Sequence, residues 1–524
     1  MDNFSNSQRV SKVVVQSNKG VVAAQHRRAA EVGAAILEKG GDAVDAAIAT
    51  SFALGVLEPW MSGMAAGGCM VLWRNDQKQA TTINFGMRSP KEIDIKNFPL
   101  SGKGKSSDLF PWPHVIDDRN VQGATAVAIP GVIAGMDLAH QKFGKLAWAE
   151  LINPAAKLAN DGLLVDWYST LLTASNASAL AKDPDAASLF LDDGKWPISG
   201  AWTALSERHL DQKMLSRTLE KIAAGGAQVF YKGDVGRDLV NDIRAKGGYL
   251  STDDLASYQA EFVDPIVIPY RGGEIFAVAG LTGGPTFEKA LRDLGQNFKM
   301  RGLRPDSEAY KHYALALQSA FSQRLESMGD HEAPHAPGCT THFSVVDRHG
   351  NMCSVTQTLL SIFGSRVVSP STGILLNNGM MWFDPEPGKP NSLGSNKRCL
   401  ANYCPVIGKT AKNKYFAIGA SGGRKILGSV MQLSSFMMDY DFNLEQAFHQ
   451  PRIDVSGGDQ VVFDSNLEQD ILDEMQSTMS TTLARRNVFP YSFACPAGVM
   501  RDTTGMNSGC TEIMSPWGDA VLER

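Results

Sequence analysis

The chain has 524 residues, 43% hydrophobic and 20% charged, with a formal net charge of −5 at pH 7. That is an ordinary soluble globular composition, long enough for a large core in two to four domains or one large enzyme. Without a long basic run it excludes nucleic acid as a partner, and the most apolar early segment, Ala46–Leu57, stops at Glu58, too short to span a bilayer. The first twenty residues lack the apolar core of a signal peptide. The seven cysteines are odd in number and scattered, with no CxxC spacing, so Cys399 and Cys404 read as buried free thiols. A cytoplasmic protein with no membrane partner, metal or cofactor is expected.

Val13–Ala24 reads as β-structure. Residues 27–41 follow with helical spacing and a Gly40–Gly41 stop. Residues 42–59 form an Ala-rich helix with Asp42 as N-cap, its small side chains suited to close packing. Residues 61–73 are a glycine-bearing turn into a strand, and 81–90 continue the β pattern. Residues 100–122 read as irregular, and from Pro130 to about Ala245 the pattern is mostly helical. Ser251 and Asp254 stand in capping-box positions, 265–280 make a hairpin, and 286–328 are helical again. Gly329–Cys339, rich in Pro and Gly, interrupts all regularity. Strands separated by runs of helices imply a layered α/β or α+β architecture.

Three segments suggest chemistry. "HEAPH" (His331–His335) matches a zinc pattern that needs both histidines on one helix face, but Pro334 sits inside it and Pro337–Gly338 follow, so a loop is the better reading. "GASGG" (Gly419–Gly423) follows a strand-like stretch and precedes a helix-like one, the context of a serine elbow at Ser421. The only later histidine is His449, with Asp439 and Asp441 cramped before it. The same glycines, Gly422 and Gly423, can instead offer backbone N–H groups to an oxyanion.

The third segment is "CTTHFSVVDRHGNMCSVTQT" (Cys339–Thr358). Alternation runs through both halves, and Arg348–Gly350 makes a three-residue loop with Gly in a left-handed position. If Asp347 pairs with Asn351, then Thr340 falls opposite Thr358, His342 opposite Thr356 and Ser344 opposite Ser354, all on one face. One reading is a polar hairpin face turned to solvent. The other is chemical: a threonine freed at its own α-amine becomes a nucleophile with a built-in base. Thr340 could reach that state by attacking the preceding Cys339 carbonyl and losing the ester to water, so Cys339–Thr340 is the candidate cleavage site.

Together with Thr372–Asn378, Asn396–Ile407 and Ile418–Ile426, this segment resembles the small subunit of the γ-glutamyltransferase (glutathione hydrolase) family. Ala29–Pro59 and Tyr231–Tyr258 resemble its large subunit. The resemblance implies an αββα sandwich of the N-terminal nucleophile hydrolase type. It implies a precursor that cleaves itself into a large subunit (1–339) and a small subunit (340–524), intertwined as one globular unit and able to form a dimer of such heterodimers. It implies Thr340 as nucleophile, Thr358 as its orienting partner, and Gly422 and Gly423 as oxyanion donors. The side chains that read the glutamyl head group are changed: Leu360 replaces an Asn, Gly379 a Gln, Trp382 an Asp, Ala401 and Asn402 two serines, and Gly86 an arginine. The segment 384–399 is also shorter than the family's lid. A family member that cleaves some other small amide is therefore expected, as in relatives acting on cephalosporin-type side chains or small acids such as oxamate. Arg88, Asn402 and Arg424 are candidates for holding a substrate carboxylate. A true γ-glutamyltransferase with a rebuilt pocket, and a non-catalytic binding protein of the same fold, are the alternatives.

Overall fold

The structure, a computed structural model, describes residues 10–105, 112–200, 207–328, 339–455 and 460–524. His331–His335 and the Pro-Gly stretch before Cys339 lie outside these residues. The strands that build the core, in chain order, are β1 (Val15–Ser17), β2 (Val21–Ala24), β3 (Gly67–Arg74), β4 (Gln79–Phe85), β5 (Glu261–Val263), β6 (Pro265–Tyr270), β7 (Gly273–Val278), β8 (Cys339–Val346), β9 (Met352–Leu360), β10 (Val406–Lys409), β11 (Tyr415–Ser421), β12 (Cys495–Arg501), β13 (Asn507–Thr511) and β14 (Asp519–Leu522). They form two seven-stranded antiparallel sheets, ordered β5-β4-β3-β9-β8-β2-β14 and β1-β13-β12-β11-β10-β7-β6.

The two-residue period of the strands assigns side chains to layers. Val22 and Ala24 on β2, Met70 and Leu72 on β3, and Phe343 and Val345 on β8 join one core with α1 (Arg27–Glu38) and α2 (Ala43–Leu57). Their neighbours Val21, Ala23, Cys69, Val71, Trp73 and Val346 join a second core with Ile407, Ala417 and Val499 of the other sheet. The opposite face of that sheet (Val406, Phe416, Ile418) packs on α3 (Gly284–Asn297), α4 (Ser307–Met328) and α5 (Lys425–Asp439). Helices, sheet, sheet, helices: this is the αββα sandwich.

Helix α2 is apolar on all sides and wholly buried, as such a helix must be. Asp42 caps it, accepting from the Val44 and Asp45 N–H groups. A Cβ at Gly33 of α1 would come within 2.3 Å of Thr50 Oγ1, so the two helices approach at the small residues. Two sequence expectations are refined. Leu100–Lys105 pairs with Pro113–Val115 in a short ribbon within the stretch read as irregular. The helical stretch 286–328 is two helices, because Gly302 (φ 67°) and Pro305 break it and Asp306 caps the second at Ala309 N–H. No described helix is long and apolar enough to cross a membrane.

Candidate active site

The β8–β9 hairpin occupies the middle of its sheet, with β2 on one flank and β3 on the other. Asp347 pairs with Asn351, Gly350 takes φ 82°, and His342 faces Thr356 and Ser344 faces Ser354 as expected. At the strand start the register changes. Cys339 pairs with Leu360 and Thr341 with Gln357, so Thr358 and Leu359 together oppose the single residue Thr340. The expected direct pairing of Thr340 with Thr358 is thus corrected to a bulge, which re-aims the side chains beside it. Both threonines are buried, and Thr358 Oγ1 accepts from the Leu360 N–H at 2.8 Å. Leu360 has φ 89°, a left-handed backbone that suits Asn better than Leu.

The polar face of the hairpin does not meet solvent. It is sealed between the sheets. His342 is fully buried, with Nδ1 2.9 Å from Thr356 Oγ1 and Nε2 3.0 Å from Ser344 Oγ. Burial pushes its imidazole down to about 3, so it is neutral. Ser354 donates to the Ile418 carbonyl of β11 at 2.9 Å, tying the sheets together. The next residue, Gly419, lies so close to the His342 ring that an added Cβ would stand 2.4–2.9 Å from its atoms. The steps from Ser344 to His342 on β8 and from Ile418 to Gly419 on β11 run towards the same end of the sandwich. That end carries Thr340 on one sheet and Gly422–Gly423 on the other. The glycines have φ 132° and 60°, and α5 begins two residues later. Among the described residues neither of their N–H groups donates to a partner.

Thr341 points the other way, towards α2. Its hydroxyl donates at 2.9 Å to Glu58, the C-cap of that helix, and Gln357 opposite it exchanges bonds with Ser51. Glu58 is 3% exposed, and burial pushes its carboxyl up to about 7, with the Thr341 hydrogen bond opposing. Sequence reasoning noticed Glu58 only as the end of an apolar run. Its signal was a carboxylate closing a helix with no polar face.

The serine-elbow reading of Ser421 fails on geometry. Its hydroxyl is paired with the Gln25 side chain. The ring nitrogens of His449 are held by the Glu445 carbonyl and the Lys12 N–H. Cys399 and Cys404 are buried free thiols.

The three candidate carboxylate binders have different neighbours. Asn402 and Arg424 both meet α4. Asn402 Oδ1 accepts from Arg324 at 3.1 Å, and the Arg424 guanidinium lies 5.9 Å from the Phe321 ring centre. Arg88 is held by backbone bridges to Ile129 and Arg398, beyond β4. Buried nitrogens of Arg88 (Nε) and Asn402 (Nδ2) have no partner among the described residues. A further arginine, Arg398, lies beside Gly86, with Nη1 2.9 Å from its carbonyl and Nη2 paired with Glu261. Three of the changed positions, Leu360, Trp382 and Ala401, belong to the apolar core between the sheets, as do Met87, Met380, Cys399 and Tyr403. At Gly379 a Cβ would meet Ala128 at 2.6 Å and Met87 Sδ at 2.8 Å, so a glutamine has no room there.

The sequence model of gamma-glutamyltranspeptidase matches residues 29–339 and 333–513. The chain belongs to that family. It is 31% identical over 483 residues to an acylase ACY 1 proenzyme of Pseudomonas sp. (strain SE83), covering 85% of this chain and 84% of that one. It is 29% identical over 494 residues to the glutathione hydrolase proenzyme of Escherichia coli (strain K12), covering 84% and 81%. A cephalosporin acylase structure from Bacillus halodurans superposes with a TM-score of 0.85 over 99% of both chains, at 24% identity, and carries the same fold. Membership makes this chain an enzyme among hydrolases and acyl transferases.

Proposed function

We propose that the protein is a self-processing amidohydrolase in which Thr340 forms the acyl-enzyme and the substrate's acyl group carries no free amino-acid head. The reading is carried by the apolar cluster around Leu360, Trp382 and Ala401, together with the closed space at Gly379. An ammonium group placed against such a wall without a carboxylate partner would lose several kcal/mol of hydration. The hydrolase chemistry needs a nucleophile, a base and an oxyanion site. Thr340 supplies the first two once its amine is free, Thr358 orients it, and the N–H groups of Gly422 and Gly423 receive the developing negative charge. Attack by Thr340 Oγ1 on the amide carbon expels the amine. Water then cleaves the ester and restores the hydroxyl. Arg88, Asn402 and Arg424 are the side chains offered to a carboxylate on the substrate. The acylase name of one relative supports this reading, and the word proenzyme in both names supports processing of a precursor.

The test is a substrate screen on processed protein. Hydrolysis of simple acyl amides, with little release of chromophore from a γ-glutamyl anilide, is expected. Robust turnover of the anilide would instead establish a glutathione-hydrolase activity with a rebuilt pocket.

A further inference from the structure

Thr340 is presented by a bulge, and a bulge breaks the ladder that would otherwise fix its position. One short segment grips both strands from behind. Glu58 accepts the Thr341 hydroxyl at 2.9 Å, the Met61 carbonyl accepts from Leu359 N–H at 3.1 Å, and the Trp60 carbonyl accepts from Phe363 N–H at 3.0 Å. Thr341 is the first residue paired after Thr340, and Leu359 is one of the two that oppose it. Residues 58–61 therefore hold the hairpin within one residue of the bulge on each strand.

Two of these grips are backbone carbonyls that any residue supplies. The third is a carboxyl group in a fully buried place, where a neutral acceptor would cost less. Glu58 has no ion-pair partner among the described residues. The groups that couple to it are the Thr341 hydroxyl on β8 and the Cys495 thiol on β12, and burial keeps that thiol protonated.

We propose that Glu58 is a positioning residue for self-cleavage: its ionised carboxylate fixes Thr341 by a charge-assisted hydrogen bond and so holds Thr340 against the Cys339 carbonyl. The proposal rests on Thr340 being the nucleophile. In the step served, the Thr340 hydroxyl oxygen bonds to the Cys339 carbonyl carbon, the carbon–nitrogen bond breaks, and the hydroxyl proton ends on the Thr340 amine. Water then adds its hydroxyl to that carbon and returns a proton to Thr340. Glu58 exchanges no proton in the balance; it supplies geometry.

The test follows newly synthesised chain on denaturing gels from pH 5 to 9. Cleavage of the parent chain, and none in Thr340→Ala, secures the underlying reading; a parent chain that never cleaves removes that reading and leaves nothing for Glu58 to position. Given cleavage, Glu58→Gln is expected to slow it at pH 8 by about tenfold or more, the loss of a charge-assisted bond. It should also erase the rise in rate through pH 7 that is expected of the parent. Thr341→Val should behave alike, and Thr341→Ser should restore the parent rate. The melting temperature of Glu58→Gln at pH 8 should not fall below the parent's. A parent-like rate and profile in Glu58→Gln overturns the proposal. So does slow cleavage accompanied by a lowered melting temperature, which marks a mere strut.

Discussion

Two buried titratable residues set opposite demands on the fold. His342 stays neutral between the sheets because burial lowers its imidazole from 6.5 to about 3. The unfolded chain binds a proton below pH 6.5 that the folded one refuses, so this residue's contribution is intact above pH 6.5 and is lost as pH falls towards 3, by about 1.4 kcal/mol per pH unit. Buried His26, lowered in the same way chiefly by burial, adds to the effect. Thr356→Val should remove a partner of His342 and cost about 1–3 kcal/mol in denaturant unfolding. Glu58 runs the other way. Its carboxyl is raised from 4.5 to about 7, so the folded state keeps a proton that the unfolded state has released. Its cost grows as pH rises from 4.5 to 7 and reaches about 3 kcal/mol above that. Glu58→Gln should accordingly raise the Tm at pH 8 and leave it nearly unchanged at pH 4.5, as read by circular dichroism melts. A residue that lowers stability at neutral pH and yet holds the strand carrying the proposed nucleophile fits a role in chemistry better than one in packing.

At the scale of elements, the approach of β8 to β11 is what aligns the two halves of the proposed site. Gly419 permits it, since any side chain there would strike the His342 ring. Gly419→Ala should cost about 1–3 kcal/mol by overpacking. Because β11 runs directly into Gly422–Gly423, the same change should slow amide turnover more than it weakens substrate binding, seen as a fall in kcat with KM nearly constant. Much of this hairpin was legible in sequence: alternation, the Arg348–Gly350 loop and the pairing of Asp347 with Asn351 set the register from Thr341 to Val346. The bulge opposite Thr340 was not, because nothing in Gln357-Thr358-Leu359-Leu360 marks where one strand carries an extra residue. Nor was the burial of the polar face. A row of His, Ser and Thr reads as solvent-facing until a second sheet, contributed from distant sequence, covers it; the row then bonds within itself at His342, Thr356 and Ser344, and across to the Ile418 carbonyl from Ser354.

At the scale of the molecule, both sheets mix strands from either side of Cys339–Thr340. β8 has β9 on one flank and β2 on the other, and β11 and β12 share a sheet with β6 and β7. A cut at that peptide would leave two chains that share one core. The cleaved protein should migrate as a single particle in size-exclusion chromatography and separate only under denaturing conditions. The layered fold was legible because helix and strand periods alternate clearly along the chain. The proposed acyl site was legible only as a set of departures, at Gly86, Leu360, Gly379, Trp382 and Ala401, which the fold sets in or against the apolar core that holds Met87, Cys399 and Tyr403. Arg398 beside Gly86 escaped notice because its neighbours come from remote segments. The central claim, that Thr340 is an autocatalytically exposed nucleophile, is tested most directly by mass spectrometry of the purified chain and its Thr340→Ala variant after incubation. The account predicts a fragment of residues 340–524 beginning at Thr340 in the parent and an intact variant. An intact parent, or a fragment beginning elsewhere, would contradict it.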